Sequence, residues 1–296
     1  MPARMLYIHA LSPIHTGIGQ SSGVIDLPVA REKHTGYPFL PGSSLKGVLR
    51  DAARPKKGDA TETVFWQAFG PETDHADKNS GALQFTDGRL LAMPIRSFYG
   101  TFAWVTCRET LMRWKNDFVF SDLTNTLAIP PAPALDALRV ATPGKLSEPN
   151  SPAPPAMVYL EDFDLNVAAD DDSSLNAIAK AVAKGVFDDP DWQALLIDRF
   201  AMVHNDLFNH FSQLATDVTA RIKIARESKT VDKGQLWYEE AIPAESIFSC
   251  PLSLEARHTA NETTFFGFVE TAAMNTLQIG GKASVGRGLI RLRVGG

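Results

Sequence analysis

The chain has 296 residues, of which 44% are hydrophobic, and 29 basic against 34 acidic residues give it a net charge of -5. This composition is typical of a globular protein with a large core and excludes an intrinsically disordered chain. No apolar run is long enough for a membrane span, and the first residues lack a secretory signal. Cys107 and Cys250 lie far apart and outside any CxxC pair, which excludes a disulfide framework and a cysteine-rich zinc site and favours a cytoplasmic protein.

Positive charge is concentrated in three segments. Residues 31–57, 220–233 and 280–296 hold 16 of the 29 basic residues, and the rest of the chain holds 13 basic and 30 acidic residues. If the three segments share one face, that face is suited to a polyanion such as a nucleic acid. Ordinary solvated surface is the alternative interpretation.

The first predicted elements are a strand over residues 5–10, a Gly/Ser-rich loop from Ser12 to Gly23, and a helix after Pro41-Gly42. Either Ser43 or Ser44 is suited to cap this helix. Its predicted apolar face comprises Leu45, Val48, Leu49 and Ala52. Lys46, Arg50 and Arg54 recur every four residues and predict a basic stripe along the helix. Residues 81–86 and 101–106 predict two further strands.

The middle of the chain begins with a proline-rich segment. Residues 130–156 contain 8 of the 19 prolines and predict an irregular insertion or linker outside the core. Asp170–Asp172 then precede a helical pattern that continues to Val182, and they are interpreted as charges at a helix start and not as metal ligands. Pro190 opens a second predicted helix. Its apolar face comprises Leu196, Phe200, Val203, Leu207, Phe211 and Leu214.

The last third predicts strands. Residues 219–226 alternate, a polar turn ends at Gly234, and Leu236-Trp237-Tyr238 follow, so a long hairpin with one basic arm is expected. Residues 265–270 predict a core strand, and the alternation of residues 290–294 predicts a final strand. Strands and helices mix without a regular βαβ period, which predicts an α+β fold.

The glycine patterns match no nucleotide-binding motif. The glycines at 17, 19 and 23 miss the dinucleotide spacing, and Gly280-Gly281-Lys282 is not a Walker A sequence because Ala283 follows the lysine. Residues 280–288 nevertheless place four glycines and two basic residues before a strand. Such a loop is suited to a phosphate backbone, and a glycine-rich turn without a ligand is the alternative.

Several blocks together resemble the RAMP superfamily of CRISPR proteins and, within it, the backbone subunits of type III-B (Cmr) RNA-targeting complexes. The matching blocks are His9–Gly17, Gly23–Glu32, Tyr37–Arg50, Arg89–Ser97, Phe102–Thr106, Leu236–Glu240 and Gly286–Gly288. The resemblance extends from residue 6 to residue 294 and is weakest across the proline-rich segment and the acidic residues 161–190. Residues 23–32 and 41–50 are its most discriminating parts.

This resemblance implies an RRM-like, ferredoxin-like palm at about residues 1–129 and 244–296, a proline-rich insertion at about 130–156, a helical insertion at about 157–215 and a protruding β-hairpin thumb at about 216–243. It implies that several copies stack helically on one CRISPR RNA together with other Cmr subunits, without a membrane. It also implies that the thumb displaces a base pair and that the complementary single-stranded target RNA is cleaved beside each thumb in a reaction that needs a divalent metal, Mg²⁺ or Mn²⁺.

Asp26 is the predicted catalytic residue, because it lies in a loop without an evident packing role and ends the Gly-Val-Ile-Asp block of the resemblance. It would either ligate the metal or help to deprotonate a 2′-hydroxyl. The alternative, which residue type alone favours, is that Asp26 is a turn residue. His15 is predicted to carry a proton or position the RNA, or else to be a surface histidine. Arg31 and Glu240 are weaker candidates.

The remaining predicted site residues bind RNA. The guide-binding set comprises Lys46, Arg50, Arg54, Gly280, Gly281, Lys282, Gly286, Arg287 and Gly288. The set near the thumb and target comprises Arg221, Lys223, Tyr238 and Glu239. Tyr238 is suited to stacking on a base, although packing on the sheet explains a tyrosine equally well.

Three alternatives remain at the level of the sequence. The first is a non-catalytic scaffold that binds the guide RNA, and the second is a CRISPR-RNA processing nuclease that works without metal and depends on His15. The third is a small-molecule enzyme, against which the absence of an intact cofactor motif argues.

Overall fold

A computed structural model describes residues 1–19, 23–71, 80–120, 126–142, 145–147, 156–168, 173–224 and 231–295. The strands are β1 (Ala3–Ala10), β2 (Phe39–Leu40), β3 (Leu83–Phe85), β4 (Gly88–Arg96), β5 (Phe102–Cys107), β6 (Ala137–Val140), β7 (Met157–Leu160), β8 (Phe163–Val167), β9 (Phe200–Val203), β10 (Asp217–Ile224), β11 (Val231–Ala241), β12 (Ile247–Leu254), β13 (Leu277–Gln278) and β14 (Leu289–Gly295). The helices are α1 (Gly42–Ala52), α2 (Glu62–Phe69), α3 (Arg108–Phe120), α4 (Ser173–Val186), α5 (Pro190–Arg199), α6 (Asn205–Leu214) and α7 (Glu262–Ala273). The predicted α+β class is confirmed.

One large sheet organises these elements. Its strand order is β13-β14-β1-β12-β4-β5-β9-β6-β8-β7, with β2 paired to β4 and β3 paired to β12. The pairs β5–β9 and β6–β8 are parallel, and the other neighbouring strands of this sheet pair antiparallel. The strands β10 and β11 form a separate two-stranded sheet, as the hairpin prediction required.

Helices cover both faces of the large sheet because its strands alternate in side-chain direction. Leu6 and Ile8 of β1 enter a core with α1, α2, α6 and α7, whereas Met5 and Tyr7 enter a core with α3, α4 and α5. No helix in the described ranges is both long and apolar enough to cross a membrane.

The predicted core strand at residues 265–270 is wrong, because this segment lies inside α7. Phe265, Phe266, Val269 and Ala272 are its buried residues. Their spacing fits one face of a helix, and a short apolar run does not by itself separate a buried strand from a buried helix.

The single helix predicted after Pro190 is also wrong, because β9 interrupts it between α5 and α6. Asp189 caps α5 by accepting from the backbone N–H groups of Asp191 and Trp192. All four residues of β9 are buried, and β9 pairs with both β5 and β6. A strand enclosed on both faces is apolar throughout, so its sequence continues the apolar pattern of the flanking helices.

The prediction that the proline-rich segment lies outside the core is wrong for part of it. Ala137–Val140 form β6, in which Leu138 and Val140 are buried and which pairs with β8 and β9. Residues 148–155 of this segment lie outside the described residues, as do Asp170–Asp172 ahead of α4.

The start of α1 differs from the prediction in its capping. Pro41 occupies the N-cap position without a side-chain hydrogen bond, and the N–H of Gly42 donates to Asp87 Oδ1 at 2.8 Å. A Cβ on Gly42 would lie 2.8 Å from the carbonyl oxygens of Phe85 and Thr86. The helix therefore begins at Gly42 because close packing on the chain before β4 fixes it there. Leu45 and Leu49 are buried as predicted, whereas Ala52 is exposed.

The hairpin begins its return earlier than predicted. β11 starts at Val231, so the polar turn does not extend to Gly234. The residues that connect β10 and β11, 225–230, lie outside the described ranges.

Candidate functional site

The loop that carries Asp26 lies against the base of the hairpin. Leu27 forms a parallel bridge with Glu239, and its N–H donates to the carbonyl of Tyr238 at 3.1 Å. Asp26 Oδ2 accepts a hydrogen bond from the backbone N–H of Tyr238 at 2.7 Å. Within the described part of the chain, Oδ1 of Asp26 has no partner. The hairpin thus orients this carboxylate and leaves one of its oxygens available to a ligand.

His15 lies beside the same hairpin base. It is buried, and its Nδ1 lies 2.7 Å from the carbonyl oxygen of Glu240. A carbonyl only accepts, so Nδ1 carries the proton and Nε2 of the neutral ring is an acceptor. Nε2 has no hydrogen-bond partner among the residues described. A Cβ on Gly17 would lie 2.6 Å from Nε2, so only glycine leaves this nitrogen approachable from that side.

The glycine-rich loop at residues 280–288 closes over His15. The N–H of Gly281 donates to the carbonyl of His15 at 2.9 Å, and a Cβ on Gly280 would lie 2.4 Å from that oxygen. Gly280 also has φ of +79°, a conformation that favours glycine. Close intramolecular packing therefore requires glycine at position 280 with or without an RNA.

The amides of this loop are only partly available to phosphate. The N–H groups of Gly281, Gly286, Arg287 and Gly288 all donate to carbonyl oxygens of the chain itself. At these four positions the backbone N–H groups are therefore already occupied. The cationic side chains are the part of the loop that can attract an anion.

Glu239 joins this loop to the hairpin. Its Oε1 accepts from Lys282 Nζ at 2.8 Å and from Trp237 Nε1 at 2.9 Å, and its Oε2 lies 3.3 Å from Arg221 Nε. Burial by itself raises the pKa of the Glu239 carboxyl, but the hydrogen bonds from Lys282 and Trp237 and the positive charges outweigh burial and lower the pKa to about 2. Two cations share one carboxylate, so the cluster keeps one net positive charge beside Asp26.

Glu240 and Arg31 hold the Asp26 loop to the hairpin from the other side. Glu240 is buried, its Oε1 pairs with Arg31 and accepts from Thr216 Oγ1 at 2.8 Å, and its Oε2 accepts from the N–H of Val29 at 2.9 Å. Arg31 also donates to the carbonyls of Gly36 and Ser212. These contacts assign both residues a positioning role.

The other hairpin candidates lie on its surface. Tyr238 is 42% exposed and pairs across the hairpin with Ala220. Lys223 is exposed. Arg287 lies 3.9 Å from Asp217 and donates to Thr219 Oγ1 at 3.4 Å, so the glycine loop contacts the first strand of the hairpin. Exposure of the Tyr238 ring favours a stacking surface over a sheet-packing role.

The predicted basic stripe lies only partly on α1, because the helix ends at Ala52 and Arg54 follows it, and it forms a separate surface. The guanidinium groups of Arg50 and Arg54 lie 5.2 and 5.5 Å from the ring of Trp66, and Arg50 donates to the carbonyl of Pro71 at 2.8 Å. Lys46 and Arg50 line an open cavity of about 630 Å³. Burial and the charge of Arg50 lower the pKa of Lys46. α1 packs against α7, β3 and β13, which places the stripe beside the strand that leads into the glycine loop.

Residues 7–291 of the chain match the family model of the RAMP superfamily. The chain belongs to the RAMP superfamily.

Relatives of the chain within the superfamily include Cmr4 proteins. The chain is 31% identical to the "CRISPR system Cmr endoribonuclease Cmr4" of Pyrococcus furiosus, over 99% of this chain and 95% of the relative. It is 23% identical to the "CRISPR system CMR subunit Cmr4" of Saccharolobus solfataricus, over 97% and 94% of the two chains. This RAMP protein also superposes on a crystal structure of oligomeric Cmr4 from Pyrococcus furiosus with a TM-score of 0.78 at 26% identity, covering 99% and 98% of the two chains.

A further structural likeness bears on the fold alone. A chain in the cryo-EM structure of the type III-B Cmr-beta complex bound to cognate target RNA matches with a TM-score of 0.74 at 22% identity, over 99% and 97% of the chains. The matched coverage shows that this RAMP protein has the same α+β architecture from end to end.

A divalent metal was predicted, with Asp26 as its ligand. No group of three or more His, Cys, Asp or Glu side chains converges anywhere in the described ranges. The neighbouring carboxylates of Glu239 and Glu240 are already occupied by cations. Among the described residues, the free carboxylate oxygen of Asp26 is therefore the one protein ligand that this site of the RAMP protein offers to a metal. Phosphate oxygens of an RNA would be the further ligands, and binding through one carboxylate and substrate phosphates is common for Mg²⁺.

Sequence reasoning missed three contributors to these surfaces. Trp66 supports two arginines of the stripe, Gly17 opens the approach to His15, and Trp237 donates to Glu239. Trp237 lies inside the Leu236–Glu240 block of the resemblance, so its place in that block is a sequence signal for it. Trp66 lies on α2, which no pattern predicted.

Proposed function

We propose that this chain is a CRISPR RNA-binding backbone subunit of a type III-B Cmr complex and that it cleaves complementary target RNA as an endoribonuclease within that complex. The Cmr4 relative from Pyrococcus furiosus carries the name endoribonuclease, and a second structural relative is seen in a complex with cognate target RNA. Several copies would stack along the guide RNA with other Cmr subunits, in line with the oligomeric structure of a relative.

In this proposal the large sheet is the RRM-like palm, at about residues 1–129 and 244–296, and the hairpin β10–β11 is the thumb, at about residues 216–243. The insertions at about 130–156 and 157–215 then extend the palm, because β6, β7, β8 and β9 continue its sheet. The hairpin supports a thumb role because its two strands pair only with each other within the described sheets.

The observation that carries the proposal is the placement of Asp26 and His15 at the base of that hairpin. Oδ2 of Asp26 is held by the hairpin backbone, whereas Oδ1 of Asp26 and Nε2 of His15 stay without partners in the part of the chain described. General acid–base chemistry requires one oriented group that accepts a proton and one that, once protonated, donates a proton.

The reaction that these groups support is an attack of a 2′-hydroxyl on the adjacent phosphorus. The O2′–P bond forms while the P–O5′ bond breaks, which gives a 2′,3′-cyclic phosphate and a 5′-hydroxyl. Asp26 Oδ1 accepts the proton of the 2′-hydroxyl, and His15 in its imidazolium form donates the proton on Nε2 to the leaving 5′ oxygen. Asp26 then releases its proton to solvent and His15 takes one up from solvent, which restores both groups. The net positive charge of the Lys282, Arg221 and Glu239 cluster favours the charge that develops on the phosphate.

A Mg²⁺ or Mn²⁺ ion bound with the RNA would neutralise phosphate charge in this site. Asp26 Oδ1 would hold such an ion together with oxygens of the RNA, as the alternative to its role as proton acceptor.

Guide binding is assigned to the α1 stripe and the glycine loop. Lys46, Arg50 and Arg54 would follow phosphates, which fixes the guide without reading its sequence. Base pairing with the guide then supplies target specificity, so an acidic chain with local basic surfaces suffices.

The test is cleavage of a labelled complementary RNA by the reconstituted complex, with and without divalent metal. We expect Asp26→Asn to lower the cleavage rate by about 10²-fold or more while the complex still assembles on guide RNA. Glu270→Gln, an exposed carboxyl on α7, is the matched control and should cleave normally.

Each alternative predicts a different result. Unchanged cleavage in Asp26→Asn would overturn the catalytic assignment and leave the chain as a scaffold for the guide. Cleavage of repeat RNA by the isolated chain without metal, abolished by His15→Gln, would instead identify a processing nuclease.

A further inference from the structure

A groove outside the proposed catalytic site lies where the turn after β4 meets the turn between β7 and β8. Its volume is about 1010 Å³. Aromatic and acidic side chains dominate its lining, namely Phe98, Tyr99, Tyr159, Glu161, Asp162 and Asp164. Backbone hydrogen bonds fix the two turns to each other, from Phe98 N to Tyr159 O at 3.1 Å and from Glu161 N to Arg96 O at 2.9 Å.

The aromatic wall of the groove consists of three neighbouring rings. The ring centroid of Phe98 lies 5.0 Å from that of Tyr99 and 6.2 Å from that of Tyr159. Phe98 is 78% exposed, although a ring of this size normally contributes to a core. Exposed aromatic faces attract ammonium and guanidinium groups because of the ring quadrupole.

The charge of the groove selects the same kind of ligand. Arg96 is the only cation of the lining and lies 3.6 Å from Glu161. Asp162 and Asp164 have no ion-pair or hydrogen-bond partner within the described residues. Three carboxylates against one guanidinium leave two net negative charges, which repel a phosphate backbone and attract a cationic side chain.

Ser97 gives independent support for a ligand. It lines the groove and is 4% exposed, yet its Oγ has no hydrogen-bond partner among the described residues. A buried polar atom is normally satisfied, so this hydroxyl is an unmet hydrogen-bonding group in the wall of the groove, although the Oγ atom is not itself exposed.

A segment of the same chain has the complementary chemistry. Lys56 and Lys57 are the only adjacent lysines of the sequence, both are exposed, and neither has an ion-pair partner within the described ranges. They lie in a tight turn, closed by a hydrogen bond from Asp59 N to Lys56 O at 3.0 Å, in which Gly58 has φ of +83°. The two lysines are therefore exposed cations, while the carboxylates of the neighbouring Asp59 and Glu62 accept hydrogen bonds from Thr61 and from the N–H of Gly58.

The two features do not meet within one copy. The Lys56–Lys57 turn follows α1, which packs on α7, β3 and β13, whereas the groove is lined by the turns after β4 and between β7 and β8, and neither lysine pairs with a groove carboxylate among the described residues. A contact between them therefore joins two copies head to tail, and such a heterologous contact repeats from copy to copy.

We propose that this aromatic and acidic groove binds the Lys56–Lys57 turn of a second copy of the chain. The inference deepens the proposed function and rests on it in one respect, since it concerns how copies line up along the guide RNA. It assigns a protein ligand to a surface that takes no part in cleavage.

Charge exchange tests the proposal. The groove variant is Asp162→Lys with Asp164→Lys, and the turn variant is Lys56→Glu with Lys57→Glu. Sedimentation velocity measures self-association of the free chain and the number of copies on excess guide RNA, and thermal unfolding checks that each variant is folded. Glu270→Lys, which reverses an exposed charge on α7, is the control.

We expect each double variant alone to associate about tenfold or more weakly than the wild type, since each brings like charges together. The two variants mixed should pair with each other, and the chain carrying all four changes should recover self-association. Wild-type association in the groove variant, no recovery in the fourfold variant, or a wild type that stays monomeric both free and on guide RNA would overturn the proposal.

Failure of this inference is distinguishable from failure of the proposed function. If the groove variant still stacks and cleaves target RNA like the wild type, the groove assignment falls and the proposed function stands. If wild-type copies stack on the guide without any cleavage that depends on Asp26, the endonuclease assignment falls and the groove assignment stands on the charge exchange.

Discussion

Replacing Glu240 with alanine is expected to destabilise the protein and to displace the loop that carries Asp26. The carboxylate is buried and accepts from Arg31, from Thr216 Oγ1 and from the N–H of Val29. Val29 is 1% exposed, so its N–H would lose its partner without gaining water. An unsatisfied buried donor costs about 1–3 kcal/mol, and breaking one side of a buried ion pair costs about 3–5 kcal/mol in total.

The side chain of Arg31 is 22% exposed, so water relieves part of its unpaired charge and places the expected loss near 3 kcal/mol, the lower end of the range for a broken buried pair. In a chain of this size each kcal/mol lowers Tm by about 2 °C, so a fall of roughly 6 °C is expected. Cleavage should fall as well, because Leu27 and Val29 connect Asp26 to the hairpin.

Urea unfolding and calorimetry of Glu240→Ala, Arg31→Ala and the double variant form the assay. The double variant should be less destabilised than the sum of the single variants, since the two side chains share one interaction. A Glu240→Ala loss below about 1 kcal/mol, or strictly additive losses, would refute a structural role for this ion pair.

Three further results are expected. Gly280→Ala should lower stability and cleavage more than Gly286→Ala, because both glycines have φ near +78° but only a Cβ at position 280 meets the His15 carbonyl. Equal losses of the two variants in thermal melting and in the cleavage assay would contradict this reasoning. Lys46→Ala should weaken guide binding uniformly across guide sequences and reduce the salt slope of the affinity by about 1, and an unchanged slope in a salt titration would remove Lys46 from the phosphate contacts. The lowered pKa of Glu239 contributes at most about 3 kcal/mol of stability above pH 4.5, and this contribution is lost as the pH falls towards 2. The difference in the free energy of unfolding between the wild type and Glu239→Gln, measured in urea, should therefore shrink over this interval. A difference independent of pH would contradict the assignment.

Local patterns predicted several elements correctly because their signals are local. Alternation marked β1, the hairpin and β14, and helical spacing marked α1 and α4. These elements have one apolar face and one polar face, so the period of their side chains is visible in the sequence.

Two of the errors fall on short apolar runs. Residues 200–203 are buried on both faces of the sheet, and residues 265–269 form an apolar run on α7 that ends at the exposed Glu270, so the strand or helix conformation of each run depends on neighbours that the local sequence does not name. Ala137–Val140 were hidden for a different reason, since prolines flank a strand whose partners β8 and β9 come later in the chain.

The candidate site divides in the same way. Resemblance to the RAMP superfamily singled out Asp26 and His15, and the superfamily membership is confirmed. Their catalytic roles stay predictions. The ion pair between Arg31 and Glu240 was not predictable, because it joins residues 209 positions apart in the chain.

The sequence by itself determined the α+β class, the superfamily, the acidic total with its basic segments, and the elements whose faces differ in polarity. Only the tertiary structure decided which cations are paired, as Lys282 and Arg221 are with Glu239, and which atoms stay free, as Oδ1 of Asp26 and Nε2 of His15 do among the described residues. It also revealed the groove beside Phe98, whose two turns come from distant parts of the chain. The physical reason is that charge pairing, hydrogen-bond satisfaction and exposure depend on distances between residues remote in sequence, whereas side-chain periodicity and composition are properties of the chain itself.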